Sequence, residues 1–100
     1  MTNIERQHDF LQAAARLILH AAELGYTVTG GDLYRDPRCG YGSKSSKHAR
    51  RLAIDLNLFR ADEYLATTEA HAELGAWWEE QGGIWGGAWD DGNHYEWPTR

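Results

Sequence analysis

From Leu52 the chain alternates. Leu52, Ile54, Leu56 and Leu58 fall on one side and Ala53, Asp55 and Asn57 on the other, the period-two pattern of a half-buried strand. Upstream the period changes. Phe10, Ala14, Leu17, Ile18, Ala21 and Leu24 recur at three- and four-residue spacing and predict a helix from about Asn3 to Leu24, with Gly25 as its stop. "YTVTG" predicts a short strand, and the Gly, Pro and Ser content of Gly31 to Lys47 predicts a long loop. A loop that long in a small domain is more often functional than idle. After the alternating segment, "FRADEYL" reads as a turn into a short partner strand. Thr68 to about Gln81 predicts a second helix with Ala70, Leu74, Trp77 and Trp78 on its inner side. "GGIWGG", the acidic turn "AWDDGN" and a last strand "HYEW" close the chain. The expected class is α+β: a small antiparallel sheet with flanking helices, in a single domain over residues 1–100 with no separate second domain.

Composition narrows the field. One hundred residues with 42% apolar content suit one globular domain. No apolar run approaches the roughly 18 residues of a membrane span. The polar start "MTNIERQHDFLQ" does not resemble a secretory signal. A net charge of -5 argues against a general nucleic-acid binder. Cys39 is the single cysteine, so the chain folds without an internal disulfide. The five Trp all lie from Trp77 onward, which concentrates aromatic surface at one end.

Asp55 raises the chemical question. Aspartate suits a strand interior poorly, and a carboxylate beside so much apolar side chain needs a partner. His48 sits seven residues upstream, and "DDGNHYEW" holds Asp90, Asp91, His94 and Glu96. Along a strand His94 and Glu96 face one way, with Tyr95 and Trp97 opposite. If the strands of Asp55 and His94 are neighbours, one face carries both and the loop brings His48 beside them. Two imidazoles and one carboxylate with a fourth position open form the ligand set of a catalytic zinc site. A closed structural site would use several cysteines. Spacing alone leaves the alternative open, because a His and an Asp seven apart also arise by chance.

"SKHARRLAID", Ser46 to Asp55, resembles the S-x-H-x-x-G-x-A-x-D motif of the zinc D,D-peptidase family. That family includes D-alanyl-D-alanine dipeptidases and carboxypeptidases and the L-alanyl-D-glutamate endopeptidases of phage endolysins. Its second motif, an acidic residue three positions before a His, is matched by Asp91 and His94. "RLAIDLNLF", "YLATTEAH", "WGGAW" and "DGNHYE" are similar to the phage branch in particular, and the likeness runs from Val28 to Trp97. The motif's Gly is replaced by Arg51. Arginine enters left-handed backbone less readily than glycine, so a different loop path is expected there.

The resemblance implies a zinc D,D-peptidase (hedgehog-like) fold with His48, Asp55 and His94 as zinc ligands. It implies Asp91 as the general base that takes a proton from the attacking water and passes it to the leaving amine. Glu96 is the rival, ranked second because the family places its acid before the His. Arg35 matches the arginine that holds the substrate carbonyl and its developing oxyanion. Ser46 matches a residue in contact with substrate or with the ligands.

Plainer readings stand beside these. Arg35 can pair with Asp32 or Asp36 on the surface, and Asp90 and Asp91 can form a solvated turn. His8, His20 and His71 read as ordinary helix residues, and Cys39 as an incidental thiol. Trp77 and Trp78 read as core, whereas Trp85 and Trp89, flanked by Gly, have room to line a substrate cleft. Lys44, Lys47, Arg50 and Arg51 form a basic cluster, a solvated face or an attractor for the carboxylates of stem peptides. The expected function is zinc-dependent hydrolysis of peptidoglycan stem peptides, first as a phage-type L-alanyl-D-glutamate endopeptidase. A D-alanyl-D-alanine carboxypeptidase is the runner-up, and a Trp-rich wall-binding module with a non-catalytic metal site is the alternative from another class. The expected partners are stem peptides alone, with neither nucleic acid nor stable membrane association, for a monomer. The chain is expected to be made in the cytoplasm and to reach the wall on release.

Overall fold

Thr2 caps the first helix. Its hydroxyl accepts from the Glu5 N–H at 3.1 Å while Glu5 Oε1 accepts from the Thr2 N–H at 2.9 Å, a reciprocal capping box. In the computed structural model, which describes residues 1–34, 36, 38 and 46–99, helix α1 then runs over Asn3–Glu23. It ends where Gly25 takes φ 91°, which lets the Gly25 and Tyr26 N–H groups return to the Ala22 and Ala21 carbonyls at 3.0 Å each. Phe10, Ala13, Ala14, Leu17 and Ala21 form the buried face. Ile18, expected inside, is exposed, and Ala13 takes an inner place.

The sheet is antiparallel throughout. Strands β1 (Thr27–Gly30), β2 (Ala53–Arg60), β3 (Glu63–Tyr64), β4 (Ile84–Trp85) and β5 (His94–Glu96) are ordered β1-β2-β5-β4, with β3 also paired to β2. Strand β2 is central because its alternation serves both faces. Leu52, Ile54, Leu56 and Leu58 turn to the helices, and with Phe10, Leu17, Leu74, Trp78 and Tyr95 they form the core. Burying a Leu or Ile side chain contributes about 1.5–3 kcal/mol, so this face carries the fold. Asp55 and Asn57 point the other way. The register pairs Asp55 with His94 and Ile54 with Tyr95, so the same two strands build core on one side and a polar constellation on the other.

The second helix departs from expectation at its start. Glu69–His71 forms a tight 3-10 turn before helix α2, Ala72–Glu80. His71, read as an ordinary helix residue, has a tertiary partner instead. It is buried, with Nδ1 2.7 Å from the Tyr95 hydroxyl, and burial pushes its pKa down. Leu74 and Trp78 are buried as expected, and Gly75 completes the face: a Cβ there would fall 2.1 Å from the Trp85 ring. No helix among the described residues is long and apolar enough to cross a membrane.

Candidate metal centre

His48 rides on a single turn just before β2. Ser46 starts the turn, its hydroxyl accepting the His48 N–H at 3.0 Å. The Arg51 N–H returns to the His48 carbonyl at 3.1 Å and the Leu52 N–H to that of Lys47 at 2.8 Å. Such a closure needs one left-handed residue, and Arg51 supplies it with φ 61°. Arginine accepts the left-handed conformation, and its guanidinium lies 4.1 Å from the centre of the Tyr34 ring, a stacking contact that offsets part of the strain.

Three side chains converge from this turn, β2 and β5. His48 Nε2 is 3.1 Å from Asp55 Oδ1 and 3.2 Å from His94 Nδ1, and His94 Nδ1 is 3.4 Å from Asp55 Oδ1. Ligand bonds of ~2.0–2.1 Å in tetrahedral geometry put neighbouring ligand atoms about 3.3 Å apart, so this triangle is sized for a zinc ion. The donor chemistry fits as well. Two ring nitrogens and a carboxylate oxygen meet at one point, and a single cation satisfies all three lone pairs. His48 and His94 are buried and Asp55 half-buried. Burial opposes ionisation of Asp55, but hydrogen bonds and positive charge from His48 and His94 outweigh it and hold the carboxyl at about 2. For His94, burial disfavours the imidazolium, and the Asp55 and Glu96 carboxylates more than offset this and raise its pKa.

The triangle opens into a cavity of about 470 Å³. Asp91 stands at its edge, half exposed, with Oδ2 3.9 Å from His94 Nδ1. Its loop is braced. The Asp91 N–H donates to the Gly86 carbonyl at 2.9 Å, and Asp90, left-handed at φ 56°, accepts from the Thr68 hydroxyl at 2.8 Å. Trp89 forms an exposed wall of the cavity, its ring centre 5.8 Å from that of His94. Trp85 does not line it. The Trp85 ring packs against Gly75 and Gly87, and its indole N–H donates to the Gly92 carbonyl at 2.7 Å, so it supports the Asp91 loop from behind. Ser46 lines the cavity while its hydroxyl is engaged by the His48 backbone. Arg35, like Cys39 and Lys44, lies outside the described residues.

Two residues take places that sequence reasoning assigned otherwise. Glu96 Oε1 accepts from His94 Nε2 at 2.8 Å, on the ring nitrogen opposite the one that faces Asp55, which is a poor place from which to act as a base. Lys47 leaves the expected basic surface cluster and donates to Glu96 Oε2 at 2.8 Å. Burial works against the Glu96 carboxylate, and Lys47 and His94 outweigh it, holding its pKa below the usual range. The shared parity of His94 and Glu96 was a visible signal for the first contact. Nothing local signals the second, which joins residues at opposite ends of the motif region.

A family model described as D-alanyl-D-alanine carboxypeptidase matches residues 40–97, a span that contains all three converging side chains. No curated protein matches the chain.

Proposed function

The chain belongs to the zinc D,D-peptidase family, and from that premise we propose that it hydrolyses an amide bond in peptidoglycan stem peptides with zinc held by His48, Asp55 and His94. The observation that carries this reading is the convergence of Nε2, Oδ1 and Nδ1 into one triangle beside an open cavity. Zinc held by these three residues would supply Lewis acidity toward a carbonyl oxygen and toward water near neutral pH. The remaining work falls to side chains. Asp91 accepts a proton from the attacking water on a carboxylate oxygen and returns it to the nitrogen of the leaving amine as the C–N bond breaks. The motif resemblance assigns to Arg35 the carbonyl oxygen as it gains negative charge, an interaction of the kind worth ~2.7–4 kcal/mol in other enzymes. Trp89 offers an apolar wall to the peptide.

The favoured bond is L-alanyl-D-glutamate, as in phage endolysins, because Asp rather than Glu stands three residues before His94. A D-alanyl-D-alanine carboxypeptidase is the second reading, favoured by the description of the matching family model. Either substrate lies in the wall, so the enzyme acts outside the cytoplasm. Digestion of purified peptidoglycan followed by mass spectrometry of the released termini separates the two. New amino-terminal D-glutamate supports the endopeptidase, and free D-alanine the carboxypeptidase. No release of either, with zinc supplied, contradicts both.

A further inference from the structure

Behind the metal-facing side of His94 lies a short chain of contacts that ligand binding alone does not require. We propose that Lys47 and Glu96 are positioning residues for the metal: their ion pair fixes His94 as the Nε2–H tautomer, with the Nδ1 lone pair aimed at the zinc position, and ties the His48 turn to the His94 strand. This inference rests on the zinc reading above.

Both oxygens of Glu96 are committed, Oε1 to His94 Nε2 and Oε2 to Lys47 Nζ, each at 2.8 Å. The carboxylate therefore cannot swing away without breaking two charge-assisted bonds. Lys47 is equally constrained. Its Nζ also donates to the Trp97 carbonyl at 3.0 Å, and its own carbonyl accepts the Leu52 N–H at 2.8 Å. Only 19% of the Lys47 side chain and 14% of that of Glu96 is exposed, so solvent screens the pair little. Lys47 immediately precedes His48, and Glu96 is two residues beyond His94 on the same strand face. One ion pair thus fixes the relative position of two of the three ligands. A histidine that binds metal through one nitrogen commonly donates its other N–H to a carboxylate, and losing that partner costs ~10–100-fold in metal affinity.

The test is zinc affinity by competition with a chromophoric chelator, combined with ¹⁵N NMR of the His94 ring in zinc-loaded protein. Glu96→Ala should bind zinc ~10–100-fold more weakly. Because that change strands Lys47, the paired variant Lys47→Met/Glu96→Leu replaces the ion pair by apolar side chains and leaves no orphan charge. It should keep the near-ultraviolet circular dichroism of the folded protein and still lose affinity. Lys47→Met/Glu96→Gln, which returns a neutral acceptor to Nε2–H, should recover part of the loss. Wild-type zinc affinity in the folded Met/Leu variant overturns the proposal and leaves the zinc reading intact, as does NMR evidence that zinc sits on Nε2. A wild-type protein that takes up no zinc overturns both.

Discussion

Strands β2 and β5 present two faces with opposite requirements. On the helix side Ile54 and Tyr95 are register partners, and the polar groups buried there satisfy one another: the Tyr95 hydroxyl meets His71, and the Trp78 indole donates to the Glu96 carbonyl at 3.0 Å. On the other side Asp55 and His94 are register partners, and three lone-pair atoms converge within 3.4 Å. The first face is complete as protein. The second presents a donor set sized for a cation. Destabilising changes on the helix side should therefore act whether or not metal is present, whereas changes on the site side should act through the metal and the reaction.

The largest separation is expected from Asp91→Ala. It should retain zinc, because Asp91 Oδ2 stands 3.9 Å from His94 Nδ1 and outside the converging triad, yet lose ~10²–10⁴-fold in hydrolysis of wall peptides. Steady-state rates alongside metal content check this. An active Asp91→Ala with an inactive Glu96→Ala would move the base to Glu96. On the other face, Leu56→Ala should cost ~2–5 kcal/mol of stability, equally in chelator and in zinc, by denaturant unfolding. A loss that appears only with zinc would show that the two faces are not separable in this way.

The legibility of the two faces differed as well. The core side was readable because alternation in β2 and the three- and four-residue spacing in α1 are local patterns, and Gly25 marks the end of that helix. On the other side the local pattern placed Asp55 on the polar side of that alternation and His94 on a strand face with Glu96, and it was the family resemblance that joined them with His48 as a ligand triad. The contacts that depend on distant chain segments were not. Lys47 reaching Glu96, His71 turning inward to Tyr95, and Trp85 bracing Gly92 rather than facing substrate all join residues whose meeting is decided by tertiary packing. Arg51 is a different case. The motif's Gly marked a position open to left-handed backbone, but the propensity of arginine gave no sign that a stack on Tyr34 would compensate it.

Smaller effects sharpen the comparison further. Burial depresses the pKa of His71, so the unfolded chain takes up its proton first as pH falls below the ordinary value of 6.5. The stability contributed by neutral His71 is complete above that value and is lost as pH falls toward its folded pKa. Measured against His71→Gln, the stability advantage of the wild type should shrink on acidification, by thermal unfolding across that range. An advantage that grows would contradict the desolvation argument. Smallest of all is Arg51→Gly. Relief of left-handed strain is worth ~1–2 kcal/mol, opposed by the added flexibility of glycine and by loss of the Tyr34 stack, so the net change should stay within about 1 kcal/mol.

The central claim is that the polar face is a metal site built by His48, Asp55 and His94. Elemental analysis of protein purified without chelator, with a zinc titration of the wild type and of His48→Ala, tests it directly. The expected result is one zinc per wild-type chain, and a variant that releases the metal and loses the zinc-dependent part of its stability. A folded wild-type protein with no transition metal and no uptake on titration would contradict it.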